Sequence, residues 1–143
     1  MPSEKVLLVD DEKDFVSVLS ERLQSRGLHV DTAGDGLEAI EKSQTSSYDA
    51  IILDLKMPGL DGMQTLEKLL AQNSDLQIIL LTGYASLEKG IKAMKLGAME
   101  FLEKPMDIEQ LVEKIKTAKA NKTILVEKRM EERIKEILED KAW

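Results

Sequence analysis

The 143-residue chain contains no cysteine, so nothing in it points to an oxidising compartment. Its length still allows one proper hydrophobic core without disulfides or metals. Aromatic residues make up only 3%, too few for a base-stacking platform or a sugar-binding strip. A single histidine, His29, cannot build a histidine-rich metal centre, and at the entrance of a strand-like run it takes a surface role. Positive charge is in deficit. The net charge of −7 and pI near 4.9 deny the chain the basic surface that non-specific nucleic-acid binding requires. No apolar run approaches the roughly 20 residues that span a bilayer, and Met1-Pro2-Ser3-Glu4-Lys5 leads into an apolar run without a basic leader. The expectation is a cytoplasmic protein that neither enters a membrane nor grips DNA by itself.

What is present is an alternation of two segment types. Short apolar runs fall at Lys5 to Asp10, Leu28 to Ala33, Asp49 to Asp54, Leu76 to Thr82 and Met99 to Glu103. Longer stretches of helical period separate them, which is the pattern of an α/β fold built from βα units. The first, third and fourth runs are almost continuously apolar, as strands are when helices cover both faces of a parallel sheet. The second and fifth are mixed and belong nearer the edges. Phe15, Val18, Leu19 and Leu23 predict the apolar face of a first helix, closed by Gly27. Leu37 and Ile40 anchor a second helix, Leu66, Leu69 and Leu70 a third, and Leu87, Ile91 and Met94 a fourth that stops at Gly97. Asp107 predicts the N-cap of a fifth, with Gln110 placed for a capping box.

Parallel strands in a doubly wound sheet gather their carboxyl ends at one edge, where ligands bind. The residues brought there are Asp10, Asp11, Asp54, Thr82 and Lys104. Three carboxylates at one edge repel one another unless a cation neutralises them, and a hard divalent ion such as magnesium suits carboxylate and phosphate oxygens. Lys104 and Thr82 then face an anion beside the metal, an arrangement suited to a transferred phosphoryl group. Singly, each residue has a plainer reading: Asp11 as a helix cap, Thr82 as a turn residue, Lys104 as a solvated lysine. Asp54 has less of one, because it ends a run too apolar to carry an uncompensated charge cheaply.

The local sequences closely resemble the receiver domain of two-component response regulators over about residues 4 to 120. Val9-Asp10-Asp11 resembles the family's acidic pair, and the segment from Leu53 through Asp54, Lys56 and Pro58 to Gly62 resembles that around its phosphorylated aspartate. Leu81-Thr82-Gly83-Tyr84 resembles the switch-threonine segment, and Gly97 to Pro105 the segment of the switch aromatic and lysine. Gly83-Tyr84-Ala85 and Ala93 to Ala98 are similar to regulators of the nitrogen-regulation activator type. The resemblance implies a flavodoxin-like (βα)5 fold with strand order 2-1-3-4-5. It implies that Asp54 takes a phosphoryl group from a histidine kinase or phosphotransfer protein. Mg2+ would be held by Asp10, Asp11, Asp54 and the backbone carbonyl of Lys56. Lys104 would pair with phosphoryl oxygens, Thr82 would swing to bond one of them, and Phe101 would turn inward behind it. Lys56 and Tyr84 would tune acyl-phosphate lifetime, and the Lys104–Pro105 bond would be cis. Output would pass through the surface of the fourth helix, fifth strand and fifth helix. Catalysis would extend no further than the protein's own phosphotransfer and dephosphorylation.

A haloacid-dehalogenase-type phosphotransferase would need an acid where Lys56 stands. A receiver-like module that is never phosphorylated would lack an acid or the lysine. A DNA-binding regulator would need residues beyond these. Residues 1–120 form the expected receiver domain and 121–143 a helical tail or linker, which either continues the fifth helix or restarts near Asn121. Val126, Met130, Ile134, Ile137 and Leu138 give the tail a narrow apolar seam fit for a homodimer or partner contact. The chain fits both a stand-alone regulator and a piece of a larger one.

Overall fold

A computed structural model describes residues 3–55, 61–83 and 87–141. Five strands and five helices alternate: β1 (Lys5–Val9), α1 (Lys13–Gln24), β2 (His29–Ala33), α2 (Gly36–Thr45), β3 (Ala50–Asp54), α3 (Gly62–Gln72), β4 (Ile78–Thr82), α4 (Leu87–Leu96), β5 (Glu100–Glu103) and α5 (Ile108–Lys141). All strand pairs are parallel, and the sheet order is β2-β1-β3-β4-β5. The three strands of near-continuous apolar sequence are the inner ones and the two mixed strands are the edges.

Side-chain alternation along the strands produces two cores. Leu7, Val9, Ile51, Leu53, Ile78 and Leu80 face α2, α3 and α4, joined by Ala39, Leu66, Leu69 and Ala93. Val6, Leu8, Ile52, Ile79 and Leu81 face α1 and α5, joined by Leu19, Leu23, Leu111 and Ile115. Both faces of the sheet are thus covered, which is why the inner strands carry so few polar residues.

Three expected anchors lie outside these cores. Val18, Leu37 and Ile91 are exposed. On α1 the buried line is Leu19 and Leu23, which leaves Val18 a quarter-turn away. On α2 and α4 the small residues Ala39 and Ala93 sit fully buried and let the helix backbones approach the sheet, displacing the larger neighbours outward. Helix ends follow their signals more closely. Gly27 and Gly97 adopt φ of 87° and 119°, the left-handed region that glycine enters without steric cost. Asp107 Oδ1 accepts from the Glu109 N–H at 3.1 Å. The reciprocal capping box sits on α3, where Asp61 accepts from Gln64 N–H and the Gln64 side chain accepts from Asp61 N–H. The fifth helix runs without a break through Asn121 to Lys141.

Candidate functional site

β1, β3 and β4 end side by side, and the polar residues at or just after their ends are buried. Asp10 is 2% exposed, Asp54 4% and Thr82 1%. Lys104 follows β5 and reaches across: its Nζ donates to Asp10 Oδ2 at 3.0 Å and Asp54 Oδ2 at 3.3 Å. Its backbone N–H donates to the Thr82 carbonyl at 2.9 Å, locking the lysine's strand end to β4. The Lys104–Pro105 bond is cis. Burial works against the lysine's charge, but the Asp10 hydrogen bond and the Asp54 and Asp10 charges outweigh it and hold the ammonium above the usual lysine range. Beneath it lies the Phe15 ring, its centroid 4.2 Å from Nζ, in a cation–π contact. Phe15 was expected only as a core residue.

The acidic pair divides. Asp10 turns inward and its Oδ1 accepts from the Glu12 N–H at 2.9 Å, which bends the chain into α1. That turn sends Asp11 outward, where it is exposed, and brings Glu12 back. Carboxylate oxygens within 4.8 Å of one another come from Asp10, Glu12 and Asp54. Asp11 therefore lies outside the group that the sequence placed it in, and it does not cap α1, whose N-cap is Glu12 without a side-chain cap bond. Asp11 instead lines a cleft of about 580 Å³ that runs from Asp10 between α1 and Gly34. The donors are all hard oxygens, and one ammonium stands against two buried carboxylates; both facts fit a small divalent cation.

Thr82 Oγ1 donates to the Gly83 carbonyl at 2.8 Å. Phe101 is half-buried and lies on α4 where Gly90 leaves room: a Cβ there would stand 3.1 Å from its ring. Lys56 and Tyr84 lie outside the described residues. Gly62, named in the sequence only as the end of a resembling segment, has a steric role that the sequence does not show. A Cβ on Gly62 would stand 2.6 Å from the Asp54 carbonyl oxygen, so this glycine allows α3 to begin directly against the end of β3.

An acidic pocket at the carboxyl edge of a 2-1-3-4-5 sheet, crossed by a lysine, defines a class, and comparison with known proteins bears it out. The family model of the response regulator receiver domain matches residues 6–116. The chain belongs to this family, whose members are phosphoacceptor switches of two-component signalling and not conventional enzymes. It is 33% identical over 126 residues to the C4-dicarboxylate transport transcriptional regulatory protein DctD of Pseudomonas aeruginosa, covering 87% of this chain and 27% of that one. A receiver domain structure from Clostridium thermocellum superposes with a TM-score of 0.80 at 35% identity, covering 85% of this chain and 98% of that one. NtrX from Brucella abortus, in complex with ADP, superposes at 0.82 with 26% identity over 88% of this chain and 29% of that one. The relatives include regulators of the nitrogen-regulation activator type. The chain spans about a quarter of the length of the first curated relatives. Among the described residues no helix is long and apolar enough to cross a membrane.

Proposed function

We propose that Asp54 is the phosphoryl acceptor and that Asp10, Thr82, Phe101 and Lys104 form the switch around it. The observation that carries this reading is the shared lysine: a single ammonium within 3.3 Å of Asp54 and 3.0 Å of Asp10 sets positive charge where an incoming phosphoryl group needs it. An Asp54 carboxylate oxygen attacks phosphorus of a phosphohistidine, the P–N bond breaks, and its electron pair returns to the imidazole, which picks up a proton. The acceptor becomes an acyl phosphate. Mg2+, when bound, would supply charge neutralisation; Asp10, Asp11, Asp54 and the Lys56 carbonyl would hold it, directly or through water, with the Glu12 carboxylate close to those of Asp10 and Asp54. Lys104 then turns from Asp10 and Asp54 to the phosphoryl oxygens. Thr82 exchanges its bond to Gly83 for one to a phosphoryl oxygen. Phe101 moves into the space so vacated, shifting the α4-β5-α5 surface. Phosphorylation selects this state because only there are the added acceptor oxygens satisfied.

The partner is a sensor histidine kinase or phosphotransfer protein, which this chain meets in the cytoplasm. Lys56 and Tyr84 tune acyl-phosphate lifetime, and hydrolysis of that bond is the chain's only turnover. Residues 1–120 are the switch and 121–143 its helical linker or tail, leading to an output domain or partner. Self-association through the α4-β5-α5 face or the C-terminal helix belongs to the same reading. Intact mass after incubation with a small phosphodonor and Mg2+ tests the acceptor. Wild type should gain one phosphoryl group and Asp54→Asn none; equal gain by both, or by neither, sinks the assignment.

A further inference from the structure

Lys104 rests on partners that phosphotransfer would take from it. Among the described residues its ammonium meets three groups: Asp10 Oδ2 at 3.0 Å, Asp54 Oδ2 at 3.3 Å and the Phe15 ring, whose centroid is 4.2 Å away. In the proposed reaction Asp54 becomes an acyl phosphate and Asp10 is given up to the divalent cation. Both carboxylates therefore change partners while the lysine is needed. The ring takes no part in that exchange. A lysine stem is long and flexible, and once its head is released it regains rotamer freedom. The 2.9 Å bond from the Lys104 N–H to the Thr82 carbonyl fixes only the backbone.

Phe15 is placed to stay where it is. It lies in the first turn of α1 and packs against the core that holds Leu19, Leu23, Leu111 and Ile115. Packing alone would be met by leucine. What leucine lacks is an electron-rich face, which attracts a cation within about 6 Å of the ring centroid. From 4.2 Å the ammonium can shift by about 1.5 Å and remain inside that range. The attraction strengthens where water is kept away, and the Lys104 side chain is only 21% exposed. The ring therefore counts for more when the carboxylates are engaged elsewhere than in the resting state, which is the condition for an effect on rate.

We propose that Phe15 is a positioning residue for phosphotransfer, its ring holding the Lys104 ammonium at the acceptor while Asp10 and Asp54 exchange partners. This role rests on the reading of Asp54 as the acceptor. Fluorine atoms on the ring weaken its attraction for a cation and change its size little, so they separate charge holding from packing. The full chain with one, two or three fluorine atoms on the Phe15 ring should gain phosphoryl groups from a small phosphodonor progressively more slowly, falling to about tenfold below wild type at three. Phe15→Leu should be slowed to the same extent, and Phe15→Tyr, which keeps the aromatic face, should recover the lost rate. Whatever uptake remains in Lys104→Ala should not respond to fluorination, because the ring acts through the lysine. Without phosphodonor, ring current should place the Lys104 Cε protons upfield of those of the other lysines, and Phe15→Leu should return them. Fluorinated proteins that react as fast as wild type, or that slow equally without Lys104, overturn the role while leaving Asp54 as the acceptor. An absent ring-current shift overturns the contact itself. A wild type that gains no phosphoryl group on Asp54 overturns the acceptor reading and this role with it.

Discussion

Gly62 opens α3, and its surroundings leave no space for a side chain. A Cβ there would stand 2.4 Å from Leu55 Cα, 2.6 Å from the Asp54 carbonyl oxygen and 2.8 Å from the Leu55 carbonyl oxygen. All three are backbone atoms, so no rotamer change relieves the overlap. Carbon atoms in comfortable contact lie about 3.5–4.0 Å apart, and Gly62→Ala must therefore push α3 and the end of β3 apart by about 1 Å. Overpacking costs about 1–3 kcal/mol, and a backbone-on-backbone clash belongs at the upper end. Alanine's better helix propensity returns at most about 1 kcal/mol. The net loss of about 2 kcal/mol lowers the melting temperature by on the order of 7 °C for a chain of this size. Because the displaced strand end carries Asp54, phosphoryl uptake should suffer more than stability does; a misplacement of about 1 Å costs on the order of 100-fold in rate. Thermal melts and the rate of mass gain with a small phosphodonor measure both effects. Gly83→Ala is the control, since nothing lies within 4 Å of a Cβ beside Thr82. Should Gly62→Ala melt and react like wild type, or Gly83→Ala do equal damage, the close-approach argument is wrong.

Two further perturbations test the electrostatics. Lys104→Ala removes the ammonium between Asp10 and Asp54; breaking a buried pair costs about 3–5 kcal/mol, and the partial exposure of Lys104 reduces this to about 2 kcal/mol. Its melting temperature should fall and then recover more than that of wild type in millimolar MgCl2, whereas a magnesium response equal to wild type would show that the carboxylates are not in need of a cation. Tyr48 donates to Asp31 Oδ2 at 2.7 Å, and burial together with that carboxylate pushes its phenol from 10 up to about 12. A pKa raised on folding gives stability, about 3 kcal/mol here, that is present below pH 10 and lost as pH rises from 10 to 12. Urea midpoints across that window should fall less steeply for Tyr48→Phe than for wild type, and equal slopes would refute the linkage.

The strands were legible because burial on both faces removes polar residues from them, and this leaves a run that only a turn or helix can interrupt. Their carboxyl ends agree with expectation to within a residue. Helix faces were harder to read, and the cause is specific. Leu37 and Ile40 look equivalent as anchors, but Ala39 is the residue against the sheet, and a small residue at the point of closest approach carries no hydrophobic signal of its own. The same holds for Ala93 beside Ile91. Periodicity says that a face exists; residue size at the contact decides where it points.

Within the site, the strand-end residues could be placed from sequence because parallel topology alone brings Asp10, Asp54, Thr82 and Lys104 to one edge. What sequence could not place depends on single bonds and single contacts. Asp10 spends one carboxylate oxygen on the Glu12 N–H and the other on Lys104, so the same side chain starts α1 and binds the lysine. That double use rotates Asp11 away and Glu12 towards the cluster. The lysine in turn rests on Phe15, in the first turn of the helix that follows Asp10. Lys104 thus links Asp10 after β1 and Phe15 of α1 to the end of β5. Moving Lys104 to a new anion frees Asp10. The start of α1, the lysine and the end of β3 are thus joined by direct contacts through Lys104.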